Sequence, residues 1–174
     1  MRLVFPNIDY KEKAIDYIKE FYKYNSEING TGSLDRHLKE SSYEDWLRYL
    51  DKAKDYENVK EGKSPALTYF YVDDNNNIIG MVNIRLIHTK LIMEEAGNVG
   101  YSIRPKERRK HYGIDILRLA LEILKNKGLK EAYVSCNKDN LASKGVILKN
   151  GGILHHEIYS EKFNESIEMY IIKL

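Results

Sequence analysis

Residues 97–125, GNVGYSIRPKERRKHYGIDILRLALEILK, limit the possible folds of this chain more than any other stretch. Val99 to Arg104 reads as a short strand, Pro105 opens a basic turn, and from about Gly113 the pattern becomes helical. Ile114, Leu117, Leu121 and Leu124 then share one stripe, with Ile116, Ala120 and Ile123 beside it. A face that wide needs a sheet to cover it. A strand that passes through a turn into such a helix gathers main-chain N–H groups and the positive end of the helix at one point, and that point suits an anion.

The rest of the chain supplies the sheet and its other cover. Arg2 to Phe5 makes a short strand before Pro6. Asp9 and Glu12 resemble a helix start, after which Ala14, Ile15, Ile18, Phe21 and Tyr22 share a face. Residues 27–38 have the glycines and small polar residues of a loop. Ser41 with Glu44 forms a capping-box pattern ahead of a second helix, with Tyr43, Trp46, Leu47, Leu50 and Ala53 as its apolar face. LTYFYV (67–72) and IIGMVNIRLI (78–87) predict a hairpin about the turn formers Asp73 to Asn77, and Glu94 to Asn98 reads as a polar break. Beyond Gly128 come a strand over 129–136, a helix capped by Asp139 or Asn140 and ended by Gly151 and Gly152, and two strands near 153–159 and 167–172. The order β-α-α-β-β-β-α-β-α-β-β predicts an α/β (α+β) fold with a mixed, mainly antiparallel central sheet of about six or seven strands flanked by helices.

With 174 residues the chain is expected to form a single domain, 1–174. A net charge of +2 gives no global reason to expect nucleic acid or a membrane surface, so any basic function is local. Cys136 is the only cysteine, which rules out an internal disulfide, and no apolar leader opens the chain; a cytoplasmic protein is the simplest expectation.

The residues now in view resemble the GCN5-related N-acetyltransferase superfamily, whose members move an acyl group from acyl-coenzyme A to an amine. The element order matches over nearly the whole length, and the specific match covers 97–152. The family's signature is Arg or Gln, two residues, Gly, one residue, then Gly or Ala, shortly after a strand that ends in an apolar-x-Pro step. Here the strand ends Ile103-Arg104-Pro105, and the signature falls on Arg108-Arg109-Lys110-His111-Tyr112-Gly113, with His111 where the first glycine would stand. Asn140 to Ser143, running on to Lys149-Asn150-Gly151-Gly152, is similar to the family's Asn-x-x-Ala/Ser helix. GYSIRPKERRK and DNLAS further resemble a bacterial branch of predicted acetyltransferases.

The resemblance implies an acyl-CoA N-acyltransferase fold, acetyl-CoA as co-substrate and an unidentified primary amine, on a small molecule or a protein, as acceptor. Homodimers are a habit of the family. Ile103, Arg104, Arg108, Arg109, Lys110, His111, Tyr112, Gly113, Ile114, Asn140 and Ser143 are the expected donor-binding residues. Main-chain N–H groups from Arg109 to Ile114 can cradle a diphosphate without particular side chains. A glycine is needed at 111 only if the backbone takes positive φ or passes very close to a phosphate, and histidine tolerates the left-handed region better than most residues. A splayed strand around Tyr101 to Arg104 would offer unpaired groups to the donor's amides, as it does in the family.

The catalytic groups stay open. An amine of pKa ~10.4 is almost wholly protonated at neutral pH, so a base, acting directly or through water, is expected. Glu94, Glu95 and His88 lie near the key strand, and Asn98 stands where many relatives have an acid. Asparagine takes no proton, but it can orient water or bind the acceptor. The family's thiolate-protonating tyrosine falls on Ile147, and Tyr101, Tyr133 or water would have to replace it. Glu95, Asn98 and Tyr101 are therefore candidates only, and the alternative is a domain that binds acyl-CoA without transferring it. His155 and His156 are strand neighbours and point to opposite faces, so no metal is expected. Gly30-Thr31-Gly32-Ser33 lacks the strand and lysine of a phosphate loop and reads as a loop that shapes the acceptor pocket.

Overall fold

The computed structural model describes residues 1–161 and 164–174. Its elements are β1 (Arg2–Val4), α1 (Lys11–Lys23), α2 (Leu34–Glu40), α3 (Tyr43–Ala53), β2 (Ala66–Val72), β3 (Ile78–Arg85), β4 (Val99–Ile103), α4 (Tyr112–Asn126), β5 (Glu131–Asn137), α5 (Leu141–Lys149), β6 (Ile153–Ser160) and β7 (Glu165–Lys173). The strands form a 4-stranded sheet in the order β1-β2-β3-β4 and a 3-stranded sheet in the order β5-β7-β6, with every pairing antiparallel. The mixed α/β class and the antiparallel sheets flanked by helices are as expected. What differs is the division of the strands into two sheets.

Alternation along the strands decides which cover each residue meets. Tyr71 and Val82 face α4 and α5 in a core with Ile84, Ile116, Leu117, Leu124, Val134 and Tyr170. Their neighbours Phe70 and Met81 point the other way, into a core with Tyr17, Phe21, Leu34, Tyr43 and Trp46 from the first three helices. Each of these buried side chains contributes roughly 1.5–3 kcal/mol, so the first sheet is stabilised from both faces.

Three local expectations are corrected. Part of the expected loop at 27–38 is helical, because Leu34 and Leu38 lie one turn apart and Leu34 is wholly buried among the aromatics of the second core. The cap of α3 is Ser42, whose hydroxyl accepts from the Asp45 N–H at 3.0 Å; Ser41 instead closes α2 by donating its N–H to the His37 carbonyl. The polar break before β4 contains a π-helical turn, Ile92–Ala96, anchored by buried Ile92 against Tyr133 and Met169. Among the described residues, no helix is long and apolar enough to cross a membrane.

Candidate active site

β4 and β5 lie side by side without a ladder between them. Asn98 joins them at one end: its N–H donates to the Tyr133 carbonyl at 2.5 Å, and its side-chain oxygen accepts from the Tyr133 N–H at 2.9 Å. Its Nδ2 donates to the Arg85 carbonyl of β3 at 3.0 Å, so both polar atoms of this fully buried side chain are engaged. The preceding Gly97 has φ +65°, and a Cβ there would sit 2.9 Å from the Tyr133 carbonyl oxygen. Only glycine lets the strands meet this closely. Beyond this apex the facing edges of β4 and β5 make no hydrogen bonds to each other among the described residues, which leaves main-chain groups of β4 open along the cleft.

At the far end of β4 lies the basic turn. Among the described residues, the N–H groups of Arg109, Lys110, His111, Tyr112 and Gly113 have no hydrogen-bond partner, whereas those of Ile114 and Asp115 donate to the His111 carbonyl. Arg109 and His111 both have φ 62°, so the turn does require the left-handed backbone at the position where the family has glycine. The resulting concave row of N–H groups at the start of a long helix suits a diphosphate. The basic side chains do different work. Arg104 donates to the Ile78 carbonyl and to the carboxylates of Asp16 (2.9 Å) and Glu20 (3.2 Å). Arg108 donates to the Ile103 carbonyl (3.1 Å) and the Ser26 hydroxyl (2.7 Å), and Lys110 pairs with Glu107 at 2.8 Å. Arg104 and Arg108 thus brace the turn against α1. Gly113 also has a structural reason: a Cβ there would lie 3.0 Å from Val146 Cγ2, so it sets the close approach of α4 and α5.

Across the cleft stands α5. Asn140 caps it by accepting from the Ser143 N–H at 3.0 Å, and the Ser143 hydroxyl meets the Tyr101 hydroxyl at 3.1 Å. Tyr101 of β4 therefore bridges the cleft to α5, and burial pushes its phenol up to about 12, with the Ser143 hydrogen bond pulling the other way. It stays protonated at neutral pH and can donate. Ile147 is fully buried in the core, and nothing that donates a proton occupies its position. Burial first, then Glu168, raises the Cys136 thiol to about 11, so it is no nucleophile at neutral pH.

The opposite face of β4 is covered by the loop between α1 and α2. Gly30, at φ +71°, packs so closely that a Cβ would fall 2.4 Å from the Gly100 carbonyl oxygen. Ser102 anchors this cover by donating to the Asn29 carbonyl, and it also meets the Tyr17 hydroxyl at 3.0 Å. Glu95 accepts from the buried Ser160 hydroxyl at 3.0 Å, which ties it to β6, the outer strand of the second sheet. His88 lies edge-on to Tyr133 with ring centroids 5.0 Å apart, and its Nε2 is buried without a hydrogen-bond partner among the described residues. An orphaned buried nitrogen is an unusual expense in a native fold and marks a place for a water or a substrate group. The pinning role of Asn98, the Gly30 contact and the orphan nitrogen had no signature in the sequence, since each depends on segments far apart in the chain.

A cleft of about 500 Å³ opens on the α1 side of the turn, lined by Glu12, Lys13, Asp16, Asp73, Arg104, Glu107 and Tyr112 among others. Its carboxylates outnumber its bases, so it is a poor home for a diphosphate, and volume alone does not mark the site. Among the described residues, no group of three or more His, Cys, Asp or Glu stands ready to hold a metal ion.

Two antiparallel sheets flanked by helices, with an N–H-lined turn leading into α4, make up an acyl-CoA N-acyltransferase fold. The family model described as the acetyltransferase (GNAT) domain matches residues 13–153, and the chain belongs to that family. A comparison with curated proteins gave no match. Among solved structures, a ribosomal L7/L12 α-N-protein acetyltransferase in complex with coenzyme A is 15% identical, with TM-score 0.69 over 99% of this chain and 93% of that one. The microcin C7 self-immunity acetyltransferase, in complex with acetyl-CoA and AMP, is 18% identical, with TM-score 0.67 and coverage of 99% and 91%. A spermidine N-acetyltransferase chimera from Vibrio cholerae and hSSAT is 14% identical, with TM-score 0.64 and coverage of 99% and 96%. At these identities the likeness is one of fold.

Proposed function

We propose that this protein is an N-acetyltransferase that moves the acetyl group of acetyl-CoA to a primary amine by direct attack. The observation that carries this reading is the cleft between β4 and β5, pinned by Asn98 and ending at the unpartnered N–H groups of Arg109 to Gly113. Similar folds with coenzyme A or acetyl-CoA bound support the donor. Neighbours described as spermidine and ribosomal-protein acetyltransferases support an amine as acceptor.

The N–H row would hold the diphosphate, and the open edge of β4 from Tyr101 to Ile103 would hold the amide-bearing arm. A β4 N–H would stabilise an oxyanion formed beside it, because a fixed donor in a site shielded from water needs no reorganisation. Acetyl-CoA supplies an activated thioester whose thiol, of pKa ~8.5, leaves readily. Tyr101 lays its phenol across that cleft, but its pKa of about 12 makes full proton transfer to a thiolate unfavourable, so it donates a hydrogen bond rather than a proton. His88 is the group we assign to take the acceptor's proton, directly or through a water at its orphan nitrogen.

The test is release of free thiol from acetyl-CoA over a panel of primary amines. Turnover above the hydrolytic background with at least one amine is expected. Tight coenzyme A binding with no amine-dependent release would instead identify a domain that binds acyl-CoA without transferring it.

A further inference from the structure

Arg85 ends β3 on the face it shares with Met81 and Asn83, the face away from α4. Its main chain is held by Asn98 itself: the Arg85 N–H donates to the Asn98 carbonyl at 2.7 Å, and Asn98 Nδ2 donates to the Arg85 carbonyl at 3.0 Å. The side chain therefore starts at the apex of the cleft. Its Nη1 donates to the carbonyls of Ala96 (3.0 Å) and Gly97 (2.9 Å), at the end of the π-helical turn. Among the described residues its Nε and Nη2 have no hydrogen-bond partner, and no carboxylate pairs with it.

Four arginines among the described residues pair with carboxylates and Arg85 does not, although it sits against the apex of the cleft. Arg104 and Arg118 each hold two carboxylates, and the more exposed Arg48 pairs with Asp45. Glu95, at the end of the turn whose carbonyls Arg85 holds, is engaged elsewhere, accepting from the Ser160 hydroxyl. From α3 the phenol of Tyr49 approaches, its ring tilted against that of His37 of α2 with centroids 5.1 Å apart. Desolvation lowers the guanidinium below its ordinary value, yet arginine stays a cation. The planar fork of N–H donors that Nε and Nη2 leave free matches a carboxylate two-pronged.

Resting on the acetyltransferase reading, we propose that Arg85 selects the acceptor by binding a carboxylate that the acceptor carries near its amine. The preferred acceptors are then amino acids and other small amines bearing an acid group, and polyamines are disfavoured. The same corner of the fold holds the apex pin Asn98, the orphan nitrogen of His88 beside Tyr133, and the Gly30 loop over Gly100. Arg85 meets the apex through Asn98 and His88 meets it through the ring of Tyr133, so an acceptor whose carboxylate is held on Arg85 would bring its amine to that apex.

The experiment is equilibrium binding to the coenzyme A-saturated protein of a set of amino acids, their carboxamides and spermidine, with thiol release measured in parallel. At least one acid should bind about tenfold or more tighter than its carboxamide, the factor that loss of one charge-assisted hydrogen bond gives. Arg85→Gln should abolish that preference and Arg85→Lys should keep part of it, while coenzyme A affinity holds in both. Equal binding of acids and carboxamides, no binding of either, or a preference that survives in Arg85→Gln would overturn the proposal. So would loss of folding or of coenzyme A affinity in both variants, which would make Arg85 a tie between β3 and the turn. Acids that bind at Arg85 while no amine of the panel gives thiol release would leave the site standing and defeat the acetyltransferase reading, which separates the two.

Discussion

His111 holds a backbone conformation that favours glycine, with φ 62° at the first step into α4. A left-handed residue with a Cβ costs roughly 1–2 kcal/mol. His111→Gly should therefore stabilise the protein by about 1 kcal/mol in urea unfolding and keep or raise coenzyme A affinity, while a large loss of affinity would mean that the imidazole itself touches the donor. His88 presents the opposite case, a side chain whose Nε2 has no hydrogen-bond partner among the described residues. If it takes the acceptor's proton, His88→Ala lowers kcat by ~10²–10⁴ with coenzyme A affinity unchanged, and the deficit narrows at high pH where the amine is already neutral. A uniform loss at all pH values would argue against that role.

At the scale of elements, two contacts hold the cleft open in its particular shape. Asn98 closes the apex, and Gly113 lets α4 approach α5 to within van der Waals contact of Val146. Asn98→Ala strips partners from buried main-chain groups of β3 and β5, so a loss of about 1–3 kcal/mol in stability should be accompanied by weaker coenzyme A binding. Because the Gly113 Cβ direction points at Val146, Gly113→Trp should wedge the two helices apart and lower the melting temperature together with coenzyme A affinity. Loss of affinity with an unchanged melting temperature would put the side chain in the cradle after all.

For the whole molecule, the groups buried around the cleft link stability to alkaline pH. Tyr101 is raised from 10.0 to about 12 and Cys136 from 9.0 to about 11. Between these ordinary and raised values the unfolded chain has released protons that the folded chain keeps. The stabilisation is present in full below the unfolded values and is lost as pH rises through the folded ones. The denaturant midpoint should fall steadily above pH 9.0, and Cys136→Ser should flatten the earlier part of that fall.

The strand, turn and wide-faced helix over 97–125 could be read directly, because local periodicity and turn chemistry act within a few residues. The same is true of the cap expected at Asp139 or Asn140, which falls on Asn140, of the N–H row, expected to reach Ile114 and ending at Gly113, and of the order of nearly all elements. The short helix α2 was hidden because glycines and polar residues dominate its stretch, and only burial of Leu34 against distant aromatics makes it helical. Arg104 and Arg108 look from sequence like phosphate ligands, yet their partners lie on α1, on β3 and in the loop after α1, beyond any local signal. Sequence alone thus determined the elements and the turn that suits an anion, since those depend on neighbours in the chain. Only the tertiary structure decided that β4 and β5 part beyond Asn98, and that Arg85, His88 and the Gly30 loop share one corner, because hydrogen bonds and burial there join segments that no local pattern connects.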